Sequence, residues 1–451
     1  MPLSWTDLPV VVTGAGISGV AAARALRDLG ARVVVLDSDE QALDSLAEQG
    51  FATASALPGE LALVVTSPGF RPTVPLLVEA ASRGVEVIGE VELAWRLRGP
   101  SAAPWLALTG TNGKTTTVKM LESMLTSAGH RAVAAGNVGL PLLDAVLDPE
   151  PYDVLAVELS SFQLHWSSTV RPHTGALLNL ADNHTDWHGS FQEYVRAKSR
   201  IFSADVCLAN ADDAVVRDLL ADTAGRQVSF TLGTPAPGQL GVVEHLLVDR
   251  AFPDVPGEAT ELATLDDVGV PGDHNVANAL AAAAMARSFG VPASAVAAGL
   301  RSFRPEPHRN ALVEVIGGVS WVDDSKATNP HAAAASLASY PSIVWLAGGL
   351  LKGADVDELV RRAVPRLRAV VLLGTDRASL FDALSRHAPH VPVVEVARLD
   401  TEAMQEVVDA ARSLARPGDT VLLAPAAASM DCFKDYKQRG DLFAQAVRAP
   451  R

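Results

Sequence analysis

Residues 105–116 read Trp105-Leu106-Ala107-Leu108-Thr109-Gly110-Thr111-Asn112-Gly113-Lys114-Thr115-Thr116, and this stretch decides the fold. It opens as a short apolar strand and runs on into a helical stretch, so a glycine-bearing turn lies between the two. Backbone N–H groups in such a turn close on phosphate oxygens, and the helix dipole favours their charge. Lys114 is placed to meet the β- and γ-phosphates of a nucleotide, and the Thr115 hydroxyl to meet Mg²⁺. The loop is short: the full Gly-x-x-x-x-Gly-Lys-Ser/Thr spacing requires glycine at position 108, where Leu108 stands. The plain alternative is an ordinary glycine-containing turn between strand and helix.

Around this loop the chain keeps one rhythm. A short β-branched run, a turn and an Ala/Leu-rich helical stretch recur, the pattern of parallel α/β sheets. Strands are expected at 10–13, 32–36, 63–66 and 86–88 before the loop, at 154–158 and 176–180 after it, and at 320–323, 343–347, 369–373, 393–396 and 420–424 towards the end. Gly99-Pro100-Ser101-Ala102-Ala103-Pro104 reads as a linker, and Phe303-Arg304-Pro305-Glu306-Pro307 as a second boundary. The expected organisation is α/β in three domains. Residues 1–99 form a Rossmann-like domain, 100–303 a central P-loop-type mononucleotide-binding domain, and 304–451 a second Rossmann-like domain. Residues 226–270, richer in short strands, Pro and Gly, read as an inserted hairpin region.

Composition bounds the partners. A net charge of −15 over 451 residues makes a generic nucleic-acid or anionic-membrane binder a poor expectation. Any anionic ligand must be held by local lysines, helix N-termini or metal ions. Two cysteines, Cys207 and Cys432, exclude a disulfide scaffold. The longest apolar run, near residues 276–286, is broken by Asn278 and falls short of the roughly 18 residues that a membrane span needs. Met1-Pro2-Leu3-Ser4 has neither a basic nor an apolar leader region, so a soluble cytoplasmic protein is expected.

Further clusters lie where strands end. Glu158 closes an apolar strand, where open α/β sheets place their ligands, and a carboxylate there needs a partner such as Mg²⁺. His184 and Asp186 follow the next apolar strand. Lys198 falls on a helix, and from its own residues it reads as a solvated lysine. Asn275 and Asn278 stand three apart on a helix and share a face, as a pair of amides reading a flat ring such as adenine would; Asp273 or a neighbour is expected to cap that helix. In the last third, the turns after three strands carry Asp324-Ser325-Lys326-Ala327-Thr328-Asn329, Gly348-Gly349-Leu350-Leu351-Lys352-Gly353 and Ser429-Met430-Asp431-Cys432-Phe433. Their strand ends point to one edge and so could line one anionic pocket. Near the start, Gly14-Ala15-Gly16-Ile17-Ser18-Gly19 with Asp37 matches a dinucleotide fingerprint. Alone, it favours a nicotinamide-dependent oxidoreductase.

Taken together, the motifs resemble those of the Mur ligase family across all three segments. The residues that carry the resemblance are Gly110-Thr-Asn-Gly-Lys-Thr, Glu158-Leu-Ser-Ser-Phe-Gln, His184-Thr-Asp, Arg196-Ala-Lys198, His274-Asn-Val-Ala-Asn278, Pro307-His308-Arg309, Asp324-Ser-Lys-Ala-Thr-Asn329 and the 428–433 stretch. The shortened phosphate loop is the family's own form. Within the family the chain looks most like the members that add D-glutamate to UDP-N-acetylmuramoyl-L-alanine, a resemblance that rests on Asp324-Ser-Lys-Ala-Thr-Asn329 and Pro425…Ser429…Phe433; the Asn-Pro-Arg element of members that add a diamino acid does not occur. Asn183, Trp187 and Ala424 depart from residues frequent in the family.

The resemblance implies ATP-dependent amide formation through an acyl phosphate, by a monomer with ATP as co-substrate and two Mg²⁺ ions. It gives Gly110, Thr111, Asn112, Gly113, Lys114, Thr115, Thr116, Asn275, Asn278, Arg309 and Asp324 to ATP. Ile17, Ser18, Asp37, Ser38, Asn137 and His308 go to the UDP-linked substrate, and Thr328, Lys352, Ser429 and the Phe433 backbone to D-glutamate. Thr115, Glu158, His184 and Lys198 would hold metal, Lys198 as a carbamate. Lys114, Glu158, His184 and Lys198 would be catalytic.

Overall fold

The structure, a computed structural model, describes residues 4–99 and 101–449, so Met1, Pro2 and Leu3 of the leader reading and Pro100 of the expected linker lie outside the described residues. The chain forms two compact units, with breaks after Asp267, Val276 and Phe303. The first holds two sheets and the second holds one.

The first sheet of the first unit is parallel, in the order Ala52–Thr53, Arg32–Leu36, Pro9–Thr13, Leu63–Thr66, Glu86–Gly89. Val10, Val11 and Val12 are buried between two helical layers, which is why the strand reads as a continuous apolar run. The second sheet has nine strands. Trp105–Thr109 lies at its heart, flanked by Val154–Glu158 and Thr174–Leu177. Ala132–Gly136 closes one side. Val206–Asn210, Arg226–Phe230 and Gln239–Val243 extend the parallel array on the other, and Leu246–Asp249 and Thr260–Thr264 finish it antiparallel.

Of the expected hairpin region, Gln239–Val243, Leu246–Asp249 and Thr260–Thr264 pair antiparallel and are built onto the end of the central sheet. They are anchored by buried Asp249, whose Oδ2 accepts from Arg287 Nε at 2.9 Å. The strand expected at 176–180 runs only over Thr174–Leu177. Beyond Leu177 the chain leaves the ladder, and Asn179 and Ala181 bond to the phosphate loop.

The two sheets of this unit share one apolar core, in which Val10, Leu26 and Ile88 belong to the same cluster as Trp105, Leu155 and Leu164. Two acids on helix Glu90–Leu97 stitch the sheets together. Glu92 is fully buried and accepts from Arg96, Ser168 and Thr169. Glu90 accepts from the Leu143 N–H at 2.9 Å, and burial pushes its carboxyl from an ordinary 4.5 up to about 7.

A raised carboxyl contributes stability that is present below its unfolded pKa and lost as pH climbs through the folded value. The Glu90 contribution should therefore disappear between pH 4.5 and about 7, by an amount of order 3 kcal/mol. Relative to wild type, Glu90→Gln should gain thermal stability as pH is raised from 5 to 8. A melting difference that stays constant over that range would show that the carboxyl titrates normally.

The second unit is built on a six-stranded sheet in the order Ala311–Ile316, Val319–Asp323, Thr420–Leu423, Ile343–Gly348, Leu367–Leu373, Val393–Glu395. All its pairs are parallel except the first. The C-terminal ends of Val319–Asp323, Ile343–Gly348 and Thr420–Leu423 therefore face the same edge, as the sequence reading requires. The helix that carries Asn275 and Asn278 runs over Asp273–Ser288, so Asp273 sits in its first turn and is not its cap.

Candidate nucleotide and ligation site

The phosphate loop is held from both sides. Gly113 takes a left-handed conformation, φ 82°, at the N-terminus of helix Lys114–Ser127. A Cβ there would meet Asn278 Oδ1 at 2.3 Å, so only glycine fits against that amide. Asn278 Oδ1 also accepts from Thr117 Oγ1 at 3.2 Å. On the other side stands Asn179, where the chain leaves the sheet. Its Oδ1 accepts from Asn112 N–H at 2.8 Å, its Nδ2 donates to Asn112 O at 3.0 Å, and its carbonyl accepts from Thr111 N–H at 3.0 Å. Thr111 Oγ1 lies 2.8 Å from Tyr194 Oη and accepts from Ala181 N–H. Lys114 Nζ donates to Gly110 O and Thr111 O, which keeps the ammonium over the loop.

Beside the loop, Glu158 is 1% exposed. Its Oε2 accepts from Thr115 Oγ1 at 2.8 Å and its Oε1 from Asn137 Nδ2 at 2.7 Å. Asn137 is thus drawn onto Glu158. Lys198 corrects the solvated reading, being 2% exposed. Its Nζ donates to Gly110 O at 2.8 Å and to Thr109 Oγ1 at 3.0 Å. Burial first, then the Lys114 charge, pushes this amine well below the ordinary lysine range, with Glu158 opposing.

His184 has left-handed backbone, φ 56°, and its ring packs on Phe162 with centroids 4.8 Å apart. Trp187 packs on the same Phe162, and its Nε1 donates to Gly69 O at 3.0 Å, so the His184 turn is tied to the first sheet's loops. His188 meets Ser161 Oγ at 3.0 Å; burial, then His165 and His184, hold it near 4, so it is neutral at pH 7. Among the described residues no three His, Cys, Asp or Glu side chains gather into a metal cage. Mg²⁺ does not need one, since it is commonly bound by one or two protein oxygens together with phosphates and waters.

At the first sheet, the Gly14–Gly19 turn packs so closely that a Cβ on Gly14 would meet Ser67 Oγ at 2.2 Å. Ile17 is 79% exposed at its tip, beside Ser18. Asp37 accepts from Ala15 N–H at 2.6 Å and from Asp39 N–H at 3.0 Å. Burial works against its charge, but the N–H groups of Ala15, Asp39 and Ser38 outweigh it and hold the carboxyl below its ordinary value.

In the second unit the three strand-end turns are joined. Leu350 and Ala428 exchange N–H···O bonds of 2.9 and 3.0 Å, and Ala426 N–H donates to Ala327 O. Thr328 and Ser429 lie on these turns, and Lys352 follows with left-handed backbone and an exposed side chain. The Phe433 N–H, expected to face a carboxylate, donates instead to Ser429 O at 2.9 Å.

Arg439 was missed by the sequence reading. Fully buried, it donates to Ser325 Oγ, Ser325 O and Ala427 O, binding two of the turns together. His308 belongs to this unit, its Nδ1 2.6 Å from Asp323 Oδ2, and that hydrogen bond raises its pKa. Asp324 Oδ1 accepts from Asn310 N–H at 3.1 Å, and burial pushes its carboxyl up to about 6. Arg309 pairs with Glu306 at 3.6 Å, and Asn275 Nδ2 donates to Pro271 O at 2.8 Å. Asn278, the other amide of the expected adenine pair, lies against the phosphate loop.

Residues 9–89 match the Mur ligase MurD-like N-terminal domain, 108–286 the Mur ligase middle domain, and 308–427 the Mur ligase glutamate ligase domain. The chain is 59% identical to the UDP-N-acetylmuramoylalanine–D-glutamate ligase of Thermobifida fusca, over 98% of each chain. It is 56% identical to the ligase of the same name from Streptomyces avermitilis, over 99% of each. In three dimensions it resembles a UDP-N-acetylmuramate–alanine ligase of Thermotoga maritima, with a TM-score of 0.60 at 19% identity over 98% of this chain and 99% of that one.

Proposed function

The chain belongs to the Mur ligase family, and we propose on that premise that it joins D-glutamate to UDP-N-acetylmuramoyl-L-alanine with hydrolysis of ATP to ADP and phosphate. The observation that carries the reading is the stack at the end of Trp105–Thr109. There Thr115 hydroxyl meets the buried Glu158 carboxylate at 2.8 Å, with Lys114 over the loop and the Lys198 amine beneath it. The reaction belongs to cytoplasmic peptidoglycan-precursor synthesis, and the nicotinamide reading of Gly14–Gly19 gives way to one in which that turn holds the UDP group.

The substrate carboxylate attacks the γ-phosphorus, breaking the bond to the β–γ bridging oxygen and giving an acyl phosphate and ADP. The D-glutamate amine, having lost its ammonium proton, then attacks the acyl carbon. The tetrahedral intermediate collapses with loss of phosphate. Positioning and charge neutralisation supply most of the catalysis in such a phosphoryl transfer. Lys114 and the loop N–H groups hold the phosphates. Thr115 and Glu158 offer hard oxygens side by side and so fit Mg²⁺; Glu158 with His184, and Lys198 once carbamylated, would hold a second ion. When bound, the metal supplies charge neutralisation at the phosphate oxygens. Ile17, Ser18, Asp37 and Ser38 take UDP, and Asn137 takes the muramoyl part. Thr328, Lys352 and Ser429 take the two carboxylates of D-glutamate.

The test is ADP release from purified protein with UDP-N-acetylmuramoyl-L-alanine and one amino acid at a time. D-Glutamate should support turnover, while lysine, which presents a cation where a carboxylate is held, and diaminopimelate, which is longer and brings a second ammonium beside its far carboxylate, should fall below it by roughly 10³ or more. Turnover with a diamino acid and none with D-glutamate would overturn the reading.

A further inference from the structure

Glu90 has no place in the chemistry set out above, yet its surroundings lead to it. It is 4% exposed at the start of helix Glu90–Leu97, and its described partners are the N–H groups of Leu142 and Leu143. Pro141, just before them, has no side-chain hydrogen bond with which to fix that turn.

The chain leading into Pro141 is exposed at Asn137, Gly139 and Leu140. At its front it is fastened to Glu158, with Asn137 N–H on Glu158 O at 2.8 Å and Asn137 Nδ2 on Glu158 Oε1 at 2.7 Å. Between the two ends run the 2.9 Å bond from Gly136 N–H to Leu140 O and a long one, 3.4 Å, from Leu140 N–H to Ala134 O. The loop is therefore held by a carboxylate at each end, Glu158 in front and Glu90 behind. Burying a carboxylate is costly unless its hydrogen bonds offset the lost hydration. Asp144, close enough to act on Glu90, adds repulsion. A costly group whose partners lie in this segment is placed to fix the segment more than to stabilise the fold.

We propose that Glu90 is a positioning residue for the UDP-linked substrate: by accepting from Leu142 and Leu143 it sets the loop that carries Asn137 onto Glu158. The inference rests on the ligase reading, in which Asn137 takes the muramoyl part.

Three consequences separate it from a purely structural role. In Glu90→Ala, the KM for UDP-N-acetylmuramoyl-L-alanine should rise about tenfold, while the KM for ATP stays within about twofold of wild type. Amide hydrogen exchange should quicken at residues 137–143 and stay unchanged in helix Lys114–Ser127. Glu90→Gln keeps the acceptor oxygen and should restore the substrate KM. A wild-type substrate KM in the alanine variant, a parallel rise in the ATP KM, or failure of glutamine to restore binding overturns the proposal. Should Glu90→Ala not fold, Glu90→Asp, shorter by one methylene, takes the same measurements with the same outcomes expected. An inactive wild type would instead count against the ligase reading itself, so the two failures are distinguishable.

Discussion

Lys198→Ala should lower turnover with saturating ATP, Mg²⁺, UDP-N-acetylmuramoyl-L-alanine and D-glutamate by about 10³-fold, the scale of removing a preorganised charged group from a reacting centre. The fold should survive. The side chain is buried with its amine pushed well below the ordinary lysine range, so its removal relieves a desolvated group. The same burial favours the neutral amine, the form that adds to CO₂ with release of a proton. A protonated ammonium beside Mg²⁺ is repelled, whereas a carbamate is attracted and offers two oxygens. Activity should accordingly depend on bicarbonate, and acetate should restore part of it in the alanine variant. The comparison that decides is Lys198→Arg, which keeps a cation but cannot form the adduct. Near-wild-type turnover by the arginine variant would show that a plain cation suffices.

Gly113→Ala is the second severe substitution. At φ 82° alanine is strained by roughly 1–2 kcal/mol. Its Cβ would also have to displace Asn278 Oδ1, 2.3 Å away. Together these should cost near 3 kcal/mol, or about 10²-fold in kcat/KM for ATP. Asn278→Ser in the same chain should recover the part due to collision and leave the part due to strain. Wild-type ATP kinetics in Gly113→Ala would mean that this turn does not cradle the phosphates.

Much of this architecture could be read from local chemistry. The phosphate loop, the strands ending at Leu36, Thr66 and Glu158, and helix Glu90–Leu97 each carry their own signature in composition and punctuation. What escaped was set by partners distant in sequence. Ala132–Gly136 is a strand of small residues with a single valine, so β-propensity was silent, and only its pairing with Val154–Glu158 makes it one. The strand expected at 176–180 had the right apolar content, but Asn179 diverts its backbone into the loop.

The burial of Lys198 had a signal that composition hides. It lies four residues after Tyr194, on the same helix face, with its Nζ 5.0 Å from the Tyr194 ring centre. The placement of candidate residues was legible at a strand end, as with Glu158, and at the start of the helix that follows one, as with Lys114. It was illegible where a residue acts by holding another, as Asn179, Arg439 and Glu90 do, because nothing in their own neighbourhood announces the partner.

The central position of Trp105–Thr109 has a consequence for how the protein is made. This strand is paired on both sides by segments that leave the ribosome much later, and Asn112 waits for Asn179, 67 residues further on. At about 5–20 residues per second, that is roughly 3–13 s during which a bare apolar strand and an unclosed loop are exposed to other chains. Parallel pairing over such separations is slow even once the partners exist. The nascent chain is thus vulnerable to aggregation while residues 105–179 are being made, and a chaperone that shelters residues 105–177 over that interval should raise the yield of folded protein more than one acting after release.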